Sequence, residues 1–188
     1  MEQNGMLRRA QDILQYIFQD ETLLLQALTA AHRIELDGGQ FQSFENNKRL
    51  AAIGESVMKL ILTEDWLVRD LTCGFERSPI DRDAAALHAL QIRLLSNHAL
   101  GVVATQSGIG SCILRSERQD YLEEAPPSTQ YIAIRAIIGA VWCNTAYDQA
   151  TTRAAMEVLG CVISIKIAFV RLTPASIYED LERRGAQL

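Results

Sequence analysis

An all-α fold is predicted, and three observations predict it. Apolar residues recur at three- and four-residue intervals along almost the whole chain, the period of helices with one buried face. No apolar–polar alternation lasts long enough to define a strand. Hydrophobic residues make up 48% of 188 positions and charged ones 22%, which supplies one core of ordinary size without help from disulfides or metals.

The elements follow in order. Residues 7 to 18 place Leu7, Ile13, Leu14 and Ile17 on one side of a first helix. Asp20 is the N-cap expected for a second, "ETLLLQALTAA". Residues 32 to 44 contain Gly38-Gly39 and read as a loop. A third helix begins near Ser43 to Asn46 and runs to about Arg69; it is apolar nearly all round between Val57 and Leu62 and should therefore be central. Asp70 to Pro79 is a connection. Asp81 is placed to cap a long helix that Ser96-Asn97 divides and Gly108 and Gly110 end. After the polar segment "SERQDYLEEAPPS", Ser128 or Thr129 should cap "QYIAIRAIIGAVWCNTA". A last long helix spans about 148 to 171, and Thr173-Pro174 opens a short amphipathic one, "ASIYEDLERR". Without repeats or a linker, the chain reads as a single domain over 1–188, with 161–188 a helical extension.

Charge and composition narrow the function. The net charge is -5, the reverse of what a protein gripping RNA backbone needs. Cys73, Cys112, Cys143 and Cys161 form no C-x-x-C pair, and Cys143 and Cys161 lie in apolar patterns as buried thiols. The three histidines, His32, His88 and His98, have no zinc-site spacing. No cofactor motif stands out. The longest apolar run, "CVISIKIAFV", is too short for a bilayer and contains Lys166. With no secretory signal at the start, an intracellular and cytoplasmic protein without membrane attachment is expected.

Four local sequences carry a resemblance. "ALTA" at 27–30, "NKRLAAIGESV" at 47–57, "QIRLLSNHALGVVATQSGIGSCI" from Gln91 and "IAIRAIIGA" at 132–140 are similar, in order and spacing, to segments of the ribonuclease III catalytic domain. The resemblance covers about residues 10 to 160. It implies a helical domain paired as a twofold homodimer, with the helix at 45–69 near the interface. In that family four carboxylates hold the divalent metal that cuts double-stranded RNA. Here the first falls on Ala51, the second on Glu55, the third on Ile132 and the fourth on Arg135. The family's acid at the second motif residue is Lys48, and its interface Phe is Ala52. The double-stranded-RNA-binding domain that many members carry is not expected here.

Metal lowers the pKa of water and neutralises phosphate charge, and magnesium demands oxygen ligands. A guanidinium about 4 Å from a divalent ion repels it by roughly 8 kcal/mol at an effective dielectric of about 20. No metal is therefore expected. Positions 48, 51, 52 and 55 share one helix face, and 132 and 135 another. Glu55 and Arg135 are the candidate reactive pair, with Lys48, Ala51, Ala52 and Ile132 around them and His32 at the border. Either the pair is an ion bridge filling a vacated cavity, or Arg135 binds an anionic or carbonyl group while Glu55 serves as acid or base. An organic ligand suits polar groups of both signs in an otherwise apolar site. A protein-binding scaffold in RNA processing or at the ribosome, and a residual nuclease, are the alternatives.

Overall fold

A computed structural model describes residues 3–30, 34–36, 40–42, 47–72, 80–114 and 125–162. Along these the chain forms α1 (Gln3–Leu14), α2 (Glu21–Leu28), β1 (Ile34–Leu36), β2 (Gln40–Gln42), α3 (Lys48–Thr72), α4 (Ile80–Leu95), α5 (Asn97–Ser107), a single 3₁₀ turn (Ile109–Cys112), α6 (Pro127–Asn144) and α7 (Gln149–Leu159). Among the described residues the fold is helical apart from one small antiparallel hairpin, in which Glu35 pairs with Phe41, and an isolated bridge between Thr29 and Leu114. That hairpin corrects the loop expected over 32–44. Three-residue strands are too short to show alternation in sequence.

Helix ends follow local chemistry in most places. The Asp20 side chain accepts from the Thr22 N–H at the start of α2. The Ser96 hydroxyl accepts from the Ala99 N–H at 3.2 Å and divides α4 from α5 where the sequence indicated. Several ends differ from expectation; helix α3 runs on through Asp70 to Thr72, where a connection was expected. Helix α4 starts at Ile80, so Asp81 lies within its first turn instead of capping it. Helix α6 starts at Pro127, one residue past an extended Pro126, so Ser128 and Thr129 are already helical. A proline suits that place, because the first helical N–H has no partner to lose. Helix α7 stops at Leu159 because Gly160 takes a left-handed conformation (φ 77°) and returns its N–H to the last turn. It does not continue to 171. The segments proposed for 116–124 and 173–183 lie outside the described residues.

Helix α6 is the centre. Its residues Ala133, Ile134 and Ala136 through Val141 are buried. Helices α3, α5, α2 and α7 pack around it. The approach of α3 is set by two glycines. A Cβ on Gly54 would stand 1.8 Å from the Arg135 carbonyl oxygen, and one on Gly139 would stand 2.1 Å from the Leu50 carbonyl oxygen. Each helix thus lays its glycine on the other's main chain, and any side chain at either place forces them apart. On the flanks of this crossing sit Met58, Ile61, Ile134 and Ile137, all fully buried. Leu7 and Leu14 join the core from α1, but Ile17, expected beside them, is exposed. Helix α1 ends at Leu14 and Gln15 turns left-handed (φ 49°), so Phe18 enters the core in place of Ile17.

Candidate functional site

The α3–α6 crossing builds the site. Glu55 follows Gly54 directly, and Arg135 is the residue whose carbonyl Gly54 touches. Two residues 80 positions apart in sequence are therefore brought side by side by main-chain contact. The Arg135 Nη1 lies 3.5 Å from Glu55 Oε2. The Lys59 Nζ, one turn along α3, donates to Glu55 Oε1 at 2.7 Å. One carboxylate is held by two protein cations.

Arg135 is anchored beyond this pair. Its Nη2 donates to the Leu95 carbonyl oxygen at 3.2 Å, at the end of α4. Its guanidinium carbon lies 5.4 Å from the centre of the Tyr131 ring on its own helix, in cation–π range. The Arg135 side chain is 16% exposed, Glu55 38% and Lys59 50%. The guanidinium is the fixed inner group, and the ammonium and carboxylate face solvent. The hydrogen bond from Lys59 holds the Glu55 carboxyl below its ordinary value, and the charge of Arg135 adds to this, while partial burial pulls the other way. Glu55 is thus a stable carboxylate near neutrality, fit to accept hydrogen bonds and poorly fit to give up a proton.

Around the pair, Lys48 and Ala52 are exposed on α3, Ala51 is buried in the core, and Ile132 is half-buried against it. Ala51 therefore faces away from solvent, and His32 lies outside the described residues. Sequence reasoning singled out Glu55 and Arg135 and overlooked Lys59. The signal was there, since a Glu followed four residues later by a Lys is the favourable orientation for a helical ion pair. The Leu95 carbonyl carried no signal, because no side-chain pattern marks which helix end an arginine will reach.

These groups do not fit a divalent ion. Among the described residues no three His, Cys, Asp or Glu side chains gather as donors. The carboxylate that remains at the crossing already accepts from Lys59 and faces Arg135. Magnesium needs several oxygen donors in octahedral array.

Elsewhere polar groups tie helices together. The buried Asp65 pairs with Arg153 of α7, which also reaches Glu157 at 3.3 Å. Cys161 is buried, and desolvation pushes its thiol up to about 12. Cys112 is also buried, whereas Cys143 is half-buried. Among the described residues no helix is long and apolar enough to cross a membrane.

No model of a known protein family matches the chain. Individual proteins do. Over 150 residues it is 27% identical to Ribonuclease 3 of Campylobacter jejuni subsp. doylei, covering 79% of this chain and 59% of that protein. Ribonuclease 3 of Rhodopirellula baltica is 28% identical over 138 residues, covering 73% and 46%. Among solved structures, the nuclease domain of ribonuclease III from Campylobacter jejuni superposes with TM-score 0.62 at 22% identity, covering 88% of this chain and 97% of that one. A second structure of that domain, described for structural flexibility in its region involved in dimer formation, gives 0.59 at 23%, covering 80% and 94%. The chain spans about half the length of the curated relatives it matches, 59% and 46% for the two above.

Proposed function

We propose that the chain, a helical domain with a ribonuclease III-like fold, does not cut RNA with a metal but holds a small organic ligand at Glu55 and Arg135 without one. One observation carries this reading: a guanidinium stands 3.5 Å from the carboxylate at the place where the resemblance calls for a fourth acid. The site residues proposed are Glu55 and Arg135, with Lys48, Ala52 and Ile132 bordering them and Ala51 behind them; His32, also a candidate from the sequence, lies outside the described residues. The ligand carries an anionic or carbonyl group for the cations. Glu55 accepts a hydroxyl or amine hydrogen from it and, being held ionised, acts as a weak base and not as an acid.

Incubation with long duplex RNA and magnesium or manganese tests the first half. The RNA should stay intact. Cleavage that EDTA stops and Glu55→Gln abolishes would reverse the reading.

A specific observation bears on assembly. Ile53, Leu60 and Leu67 recur every seventh residue along α3 and are all exposed. Such a stripe suits helix-against-helix contact. We assign it to a second copy of the chain in a twofold dimer. Light scattering should then give twice 20.9 kDa.

A further inference from the structure

We propose that Lys59 and Arg135 together balance Glu55 as a divalent ion would, forming a metal-free site for an oxyanion in which Arg135 is the fixed cation and Lys59 the movable one. This rests on the metal-independent reading above and adds to it a residue and a ligand class, an organic phosphate or polycarboxylate.

The division of labour follows from the partners. Arg135 is held from three helices: by Glu55 on α3, by the Leu95 carbonyl at the end of α4 and by the Tyr131 ring on α6. Moving it means giving up all three at once. Lys59 holds Glu55 through an exposed pair one helical turn apart, with half of its side chain open to water. Such pairs are weak and exchange readily. An arriving oxyanion can therefore draw the ammonium away from Glu55 Oε1 while Arg135 keeps the carboxylate in place. The charge count favours this exchange. Lys59 and Arg135 set two cations against the one carboxylate of Glu55, a local positive surplus in a chain of net charge -5. Ala52, one turn before Glu55 on α3, is exposed and carries only a methyl.

Pyrophosphate is a suitable probe. Calorimetric titration of the intact chain in EDTA would compare the wild type with Lys59→Gln and Lys59→Arg, each checked by thermal melting. Saturable binding is expected in EDTA, about tenfold weaker in Lys59→Gln and largely recovered in Lys59→Arg. Melting should hardly change, which separates lost binding from lost folding. Absence of saturation at millimolar pyrophosphate overturns the site, and equal affinity in Lys59→Gln overturns the role of Lys59. Either result leaves the metal-independent reading in place. Binding that appears only when manganese replaces EDTA overturns both. A duplex RNA that binds without competition from pyrophosphate overturns the choice of ligand.

Discussion

Arg135 decides what the carboxylate beside it can do. Solvent reaches Glu55, and Lys59 remains with it when the guanidinium is gone, so removing Arg135 does not strand a buried charge. Arg135→Met should cost about 1–2 kcal/mol, mainly the hydrogen bond to the Leu95 carbonyl and part of a half-screened ion pair. Adding Glu55→Gln should restore little, because the Leu95 oxygen still lacks its donor; melting of the single and double variants checks this. Acid gives a second test. The Glu55 carboxyl sits below its ordinary 4.5 in the folded chain. Its contribution is therefore complete above that value and is lost as pH falls through the lower folded one. Glu55→Gln should flatten the dependence of melting on pH below about 4.5 and leave intact the share from the caps Asp20 and Asp148, which are also lowered. Glu55 and Arg135 were legible through the resemblance, because they fall where its pattern has the second and fourth acids. It did not reveal that the pair is open to water on the Glu55 side, since exposure depends on neighbours distant in the chain.

Helix ends and helix crossings were legible to different degrees. Asp20 and Ser96 announced their caps because a short polar side chain at that place satisfies a backbone N–H by itself. The Pro126-Pro127 start and the Gly160 stop were missed, because in both cases main-chain geometry overrides a plausible side-chain cap or an apolar run. The hairpin over 34–42 was missed for its brevity. Gly54 and Gly139 were visible as residues, but their partnership was not, because it is a contact between two main chains. That contact gives a strong expectation. Gly54→Ala or Gly139→Ala sets a methyl about 2 Å from a carbonyl oxygen that cannot step aside, and should cost about 3 kcal/mol or more. Gly101, where a Cβ would meet nothing within 4 Å, is the control: Gly101→Ala in the middle of α5 should stabilise by about 0.5–1 kcal/mol. Chemical denaturation of the three variants measures both.

At the scale of the whole molecule, charge sets the expectation for nucleic acid. With net charge -5, duplex RNA should bind more weakly than micromolar at physiological salt, and any binding should show a shallow salt slope. A titration at several salt concentrations decides it; a tight complex with a steep slope would move the balance to an RNA-processing scaffold. The helical fold was readable from period and motif order together. The cation at position 135 was readable only as a residue that departs from the pattern of the resemblance. The glycine crossing explains how both can be true of one chain. What sets the distance between positions 55 and 135 is peptide resting on peptide, indifferent to the side chains on either. Descent could therefore rewrite the chemistry one codon at a time while the protein remained foldable at each step. Positions 55, 132 and 135, partly open to water, tolerate substitution on that frame. Ala51 is sealed in the core, so of these positions it is the one where a charged side chain would be hardest to install.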